Sequence, residues 1–268
     1  MMTTSEAAAT APLLYEEKGQ VAWLTLNRPG ALNSLNLDII HLMAEHLEKV
    51  VADEGIRVLV ITAAGKAFCT GADLGTIIGE AHAEPGEKNF FDYARPVFDL
   101  LRNFPKPVIA ALNGATMAGG LELALTADII IASDRAKIGD GHANFGVFPG
   151  GGGASILPRR IPVNVANLLL FTGRTLPAEK FVAYGLVNEV VPANELVDST
   201  QALAEEIAGK SPLALRRMKE VVRTARDSDQ ADALRHEYIE LLNQLRSFDL
   251  TEGLKAFAEK RAPQFQGY

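Results

Sequence analysis

The chain alternates between short unbroken apolar runs and longer stretches in which apolar residues return every three or four positions. Val21–Leu26 (VAWLTL), Arg57–Thr62 (RVLVIT) and Val108–Leu112 (VIAAL) are of the first kind. Their shortness, their β-branched content and the Gly, Pro and Asn around them predict strands, the second one buried on both faces of a covered sheet. The stretch from Asn36 to about Asp53 is of the second kind. Ile39, Leu42, Met43, Leu47 and Val50 recur at helical spacing there, and Gly55 stops the pattern. Further helices are predicted after Asp73, over about 91–103, over 162–172 and over 177–185, the last leading to a strand at 186–190. Beyond Ala193 the pattern is helical almost throughout, at about 194–209, 212–226, 230–246 and 251–260. Strands alternating with helices, then helices alone, predict an α/β body with a C-terminal helical subdomain.

The run Val108–Leu112 ends in Asn113-Gly114, and Gly119-Gly120 then opens the helical LELALTAD. Glycines at a helix start leave N–H groups uncrowded at the positive end of the helix dipole, where an oxygen turning anionic is stabilised. Gly71-Ala72-Asp73, between strand and helix, repeats the device. Glu122 falls one turn inside the second helix. Its position alone also fits a first-turn carboxylate favoured by the dipole, while a capping box is excluded because Gly119 stands where Ser or Thr is needed. Asp140-Gly141-His142 and the loop Pro149–Gly153 follow about twenty residues later. An acid, an imidazole and a glycine-lined anion site in one stretch make an active site.

Composition narrows the chemistry. With 268 residues there is room for one large domain or a domain with an appendage, and the 48% apolar content supplies a substantial core. The formal charge of −7 argues against a general nucleic-acid or anionic-membrane surface. A single cysteine, Cys69, excludes an intrachain disulfide and a Cys-based zinc cage. It has no basic neighbour in sequence to activate it, so it reads as packing. Asp140 and His142 lack a third ligand at metal spacing, so no metal is expected. No apolar run reaches membrane-spanning length. The opening MMTTSEAAATAP resembles neither a signal nor a transit peptide, and reads as a disordered tail over residues 1–12 of a cytoplasmic protein.

Several segments together resemble the crotonase superfamily, the enoyl-CoA hydratase/isomerase fold. They are LNRPGALNSLN (26–36), AFCTGADLG (67–75), KPVIAALNGATMAGGLELALTADIIIAS (106–133), the turn at Pro149–Gly152, FTGRTLPAEKFVAYGLVNEVVP (171–192) and FAEKRAPQF (257–265). The resemblance implies an α/β spiral of ββα units over residues 13–192, covered by a helical region over 193–268 that builds a homotrimer or a dimer of trimers. It implies an acyl-CoA thioester substrate, with coenzyme A entering as part of that substrate and no cofactor bound permanently. Ala72 and Gly119 match the positions whose N–H groups bind the thioester oxygen. Glu122 matches one of two catalytic glutamates. His142 stands in place of the second, and Asp140 beside it is a further candidate. Arg28, Ala31 and Asp73 match positions near the CoA, as do Phe257 and Lys260, the latter two often from a neighbouring subunit. Two lysines frequent in hydratases are Gly30 and Gly75 here.

The resemblance thus implies addition of water to a 2-enoyl-CoA. Isomerisation, which needs one base, remains an alternative because of His142, as do CoA-thioester hydrolysis, decarboxylation and C–C cleavage. A silent CoA-binding protein is the alternative from another class. The segment 79–91 is expected to shape the acyl pocket.

Overall fold

The architecture is that of a computed structural model, described for residues 11–80 and 88–268. Most of the expected tail and most of the acyl-pocket segment lie outside the described residues. At the inner edge of the segment expected as a tail, the Ala11 and Pro12 carbonyls accept from the side chain and the backbone N–H of Asn27.

Strands β1 (Leu13–Lys18) and β2 (Val21–Leu26) form an antiparallel hairpin. Parallel to β2 run β3 (Val58–Ala63), β5 (Val108–Leu112), β7 (Ile129–Ser133) and β10 (Glu189–Val191), giving a six-stranded sheet in the order β1-β2-β3-β5-β7-β10. Alternate residues of its central strands face opposite cores. Leu24, Leu59, Ile61, Ala110 and Leu112 pack into the larger one. Val21, Trp23, Val58, Val60, Ile109 and Ile131 face the other, which helix α8 (Leu196–Ala208) covers with Leu196, Ala204 and Ala208. Two covered faces explain why these strands read as unbroken apolar runs.

Three very short strands escape the hydrophobic pattern. β4 (Ala67–Cys69), β6 (Ala115–Met117) and β8 (Lys137–Gly139) pair in parallel, and β9 (Thr175–Pro177) closes a second sheet antiparallel to β8. Three residues cannot display a period of two, so two of the segments read as loop or turn. They make the ββα repeat concrete. Strands β3, β5 and β7 turn into β4, β6 and β8, and each of these short strands leads into a glycine-containing corner at Gly71, Gly119 and Gly141 that borders one cleft.

Helix α1 (Leu37–Ala52) starts at Asn36, whose side chain accepts from Ile39 N at 3.1 Å, and buries Ile39, Met43, Leu47 and Val50 as their spacing requires. It packs against α3 (Phe90–Arg102), which begins in a capping box between Asn89 and Asp92. Between them in sequence lies α2 (Leu74–Glu80). The Gly119-Gly120 corner opens α4, only Gly119–Ala124. Short helices α5 (Leu157–Arg160), α6 (Val163–Thr172) and α7 (Ala178–Ala183) precede β10. After α8 come α9 (Pro212–Ala225), α10 (Gln230–Gln244) and α11 (Phe248–Glu259), which match the predicted helical tail within a few residues.

Candidate active site

The corners after β4 and β6 meet. A β-carbon built on Gly119 would lie 3.3 Å from Gly71 Cα and 3.5 Å from Ala72 N, and one built on Gly71 would lie 3.4 Å from Gly119 N. Glycine is required for this approach. Leu35 N donates to Gly71 O at 2.8 Å and Asp73 N donates to Leu35 O at 2.8 Å. This parallel bridge consumes alternate groups on one edge, so the Ala72 N–H is turned the other way. Gly119 is the first residue of α4 and has no intrahelical acceptor. Neither amide has an acceptor among the described residues. Ala118 enters the turn with φ 49° and ψ −123°, a strained conformation for a residue with a β-carbon.

Both amides border a cleft of about 840 Å³. Glu122, His142, Ala31 and Asp73 line it too, with Phe91, Phe98, Phe145 and Phe148 forming much of the apolar wall. Arg28, Asp140, Phe257 and Lys260 are not on that wall. Arg28 is engaged elsewhere, donating to Ser34 O at 2.8 Å and to Asp73 Oδ2 at 3.1 Å. The ion pair braces the segment 28–34 against the Gly71–Asp73 corner, and against the opposing effect of burial it holds the Asp73 carboxyl below its ordinary range. Phe257 is 86% exposed on α11 and Lys260 caps that helix, both away from this chain's own cleft.

Glu122 is buried, and its Oε1 accepts from Gly151 N at 2.6 Å and Gly153 N at 2.9 Å. Burial raises its pKa, and the two N–H groups and the nearby His142 charge offset only part of the rise. β-Carbons at Gly151 and Gly153 would come within 2.8 Å of Glu122 Oε2 and Asp140 Oδ2, so a side chain at either position would displace a carboxylate. The sequence shows a glycine run here without showing which amides grip the carboxylate.

His142 opens a 3-10 turn after β8, with Gly141 at φ 81° turning the chain. Its Nδ1 lies 2.9 and 3.0 Å from the two oxygens of the fully buried Asp140, and its backbone N–H donates to Asp140 Oδ1 at 3.1 Å. Burial would lower the imidazole pKa, but the Asp140 hydrogen bond and charge, with the Glu122 charge, outweigh it and hold the pKa above its ordinary value. With Nδ1 committed to Asp140, Nε2 is the nitrogen left for chemistry. Asp140 orients the ring from behind.

Cys69 is buried beneath the Gly71 corner, and burial pushes its thiol up to about 12, so it is packing and no nucleophile. Among the described residues no three His, Cys, Asp or Glu side chains gather as metal ligands. One site residue was missed by sequence reading. Arg102, in the last turn of α3, lines the cleft and donates to the Gly151 carbonyl.

An α/β spiral thus presents two amides without acceptors among the described residues, a buried carboxylate and an Asp-supported imidazole to one cleft. The enoyl-CoA hydratase/isomerase family model matches residues 16–268, and the chain belongs to that family. It is 38% identical to the (E)-benzylidenesuccinyl-CoA hydratase of Thauera aromatica, over 96% of this chain and 99% of that protein. It is also 38% identical to the carnitinyl-CoA dehydratase of Proteus mirabilis, over 93% of this chain and 96% of that one. The crystal structure of an enoyl-CoA hydratase from Polaromonas sp. JS666 superposes with a TM-score of 0.90 at 30% identity, covering 94% of this chain and 99% of that chain.

Proposed function

We propose that the protein hydrates 2-enoyl-CoA thioesters, with Ala72 and Gly119 as the oxyanion hole and Glu122 and His142 as the acid–base pair. The observation that carries this reading is the pairing of two opposed groups in one cleft. One is a carboxylate held by two backbone N–H groups, and the other is an imidazole held by Asp140. Addition of water across a polarised double bond needs one proton taken from water and one given to the α-carbon. Glu122, ionised, takes the water proton as the water oxygen bonds to the β-carbon. The electron pair moves through the α-carbon onto the thioester oxygen, where the Ala72 and Gly119 amides receive it. In its protonated form, which the Asp140 hydrogen bond and charge favour, His142 then returns a proton to the α-carbon. The Glu⁻/HisH⁺ state thus holds one mobile proton, as a pair of glutamates sharing one proton would.

CoA enters as part of the substrate. Ala31 and Asp73 border its path, and the Arg28–Asp73 ion pair shapes that border. Phe257 and Lys260 serve the cleft of a neighbouring subunit in a homotrimer or dimer of trimers. Support for self-association comes from α10, which buries no residue and leaves Leu234, Tyr238, Leu241 and Leu245 exposed along one stripe. No described helix is long and apolar enough to cross a membrane, and an acidic chain with a single buried cysteine suits the cytoplasm.

The test is a panel of 2-enoyl-CoA thioesters followed by mass spectrometry of the products. Hydration adds the mass of one water. A product of unchanged mass and shifted double bond would assign isomerisation instead, and free CoA would assign thioester cleavage.

A further inference from the structure

We infer that Arg102 is a positioning residue for Glu122, holding Gly151 so that the loop amides grip the carboxylate. The inference rests on the acid–base role proposed for Glu122. Its starting point is a difficulty in the loop itself. Gly150, Gly151, Gly152 and Gly153 are consecutive, and four glycines lose more conformational freedom on ordering than any other tetrapeptide. At Gly151 and Gly153 a β-carbon would press on the Glu122 and Asp140 carboxylates, and Gly152, at φ 122°, holds a backbone that favours glycine. Such a loop cannot present two amides to one oxygen unless something outside it fixes the backbone.

Two anchors do so. The Gly152 carbonyl accepts from Ile156 N at 2.7 Å and Leu157 N at 3.3 Å, which ties the far end of the loop to α5. The Gly151 carbonyl accepts from Arg102 Nη2. The guanidinium is itself braced: Nη1 donates to Asp99 Oδ1 at 2.7 Å, and its carbon lies 5.8 Å from the centre of the Phe98 ring. The remaining Nε is buried without an acceptor among the described residues. A cation serving only as the i,i+3 partner of Asp99 would turn into solvent and leave no N–H stranded. Here the fork is held inward at that cost, with one arm on the residue whose N–H binds Glu122. The planar fork also explains arginine over lysine, since one ammonium cannot as readily satisfy Gly151 and Asp99 together.

The Gly151 and Gly153 amides lower the Glu122 pKa against its burial. Loosening them raises that pKa further, so the acid limb of the rate profile, below which Glu122 is protonated, moves to higher pH. Small misplacement of a reacting group costs up to about 10²-fold in rate.

The experiment uses the full chain with Arg102→Met, Arg102→Lys and Asp99→Asn, folding checked by circular dichroism and thermal melting. The readouts are kcat, KM, the pH–rate profile on the best enoyl-CoA, and hydrogen–deuterium exchange of the peptide spanning 148–157. Arg102→Met is expected to lower kcat by about 10- to 10²-fold with little change in KM, to move the acid limb up and to speed exchange in that peptide. Arg102→Lys is expected to recover part of kcat and part of the limb. An Arg102→Met enzyme with normal kcat and an unmoved limb overturns the inference, even if the loop exchanges faster. So does a loss of kcat that Arg102→Lys shares in full while the limb stays in place. If Arg102→Met does not fold, Asp99→Asn decides: it should shift limb and kcat in the same directions by less, and a wild-type profile overturns the inference. Glu122→Gln run in parallel separates the two claims, because full activity there removes the acid–base reading whatever Arg102 does.

Discussion

Single atoms decide what this site can do. The Glu122 carboxylate and the His142 imidazole differ in what surrounds them, and both surroundings push the pKa upward for different reasons. Asp140 is the adjustable one. Replacing it with Asn removes the charge and the acceptor pair at Nδ1, so the His142 pKa falls. The alkaline limb of the pH–rate profile, above which His142 is no longer an acid, should therefore move to lower pH, with kcat at neutral pH down by roughly 10- to 10²-fold. An unmoved alkaline limb would mean that another group sets it. Much of this was readable from residue types. Gly71-Ala72 and Gly119-Gly120 at helix starts pointed to amides without acceptors, and Asp140 stood out only as a further candidate beside His142, its hydrogen bonds to the ring appearing in the structure alone. Arg102 was not readable, because an arginine near the end of an amphipathic helix looks like an ordinary solvated cation. The one available sign was that Phe91, Arg95, Phe98 and Arg102 share a helical stripe, which puts two cations on an aromatic face.

At the scale of elements, the long strands and helices were legible because each buries a face whose period shows in sequence. Strands β4, β6 and β8 were not, since three residues carry no period and their pairing is fixed by tertiary contact alone. Yet they place the chemistry. A β-carbon on Gly120 would lie 2.1 Å from Cys69 O, backbone against side chain, at the point where α4 rests on β4. Gly120→Ala should destabilise the protein by roughly 3 kcal/mol, read from urea unfolding. Wild-type stability would show that the two elements separate freely. The C-terminal segment is held differently. Glu252 accepts from Arg261 and from Gln264 N at 2.7 Å, and these contacts, the Arg261 hydrogen bond first, lower its carboxyl to about 2. A depressed carboxylate stabilises the fold fully above its unfolded pKa and less as pH falls through the folded value. Amide exchange of residues 261–268 should thus stay slow at neutral pH and accelerate as pH falls from about 4.5 toward about 2, a change that Glu252→Gln should mimic at neutral pH.

The whole molecule presents two surfaces with different meanings. The apolar wall of the cleft is the surface proposed to receive the acyl group. The stripe on α10 carries Leu234, Tyr238, Leu241 and Leu245 into solvent along a helix with no buried residue, which a lone chain has no reason to keep. Leu241→Glu combined with Leu245→Glu should convert an oligomer to monomers in sedimentation velocity. If Phe257 and Lys260 act on a neighbour's cleft, the same variant should raise KM for the CoA thioester. A monomeric wild type would remove that role from both residues. Assembly is expected only through the resemblance, for the helical period shows an amphipathic face but not what covers it.

The central claim is that Glu122 and His142 share the work of one hydration in a hole formed by Ala72 and Gly119. It is tested most directly by the kcat of Glu122→Gln and His142→Ala on a 2-enoyl-CoA that the wild-type protein hydrates. Glu122→Gln keeps the side-chain size and removes the base, so kcat should fall by about 10² to 10⁴. His142→Ala should fall comparably and lose the alkaline limb. Near-normal hydration by either variant would contradict the account, because a single proton-transfer group would then suffice.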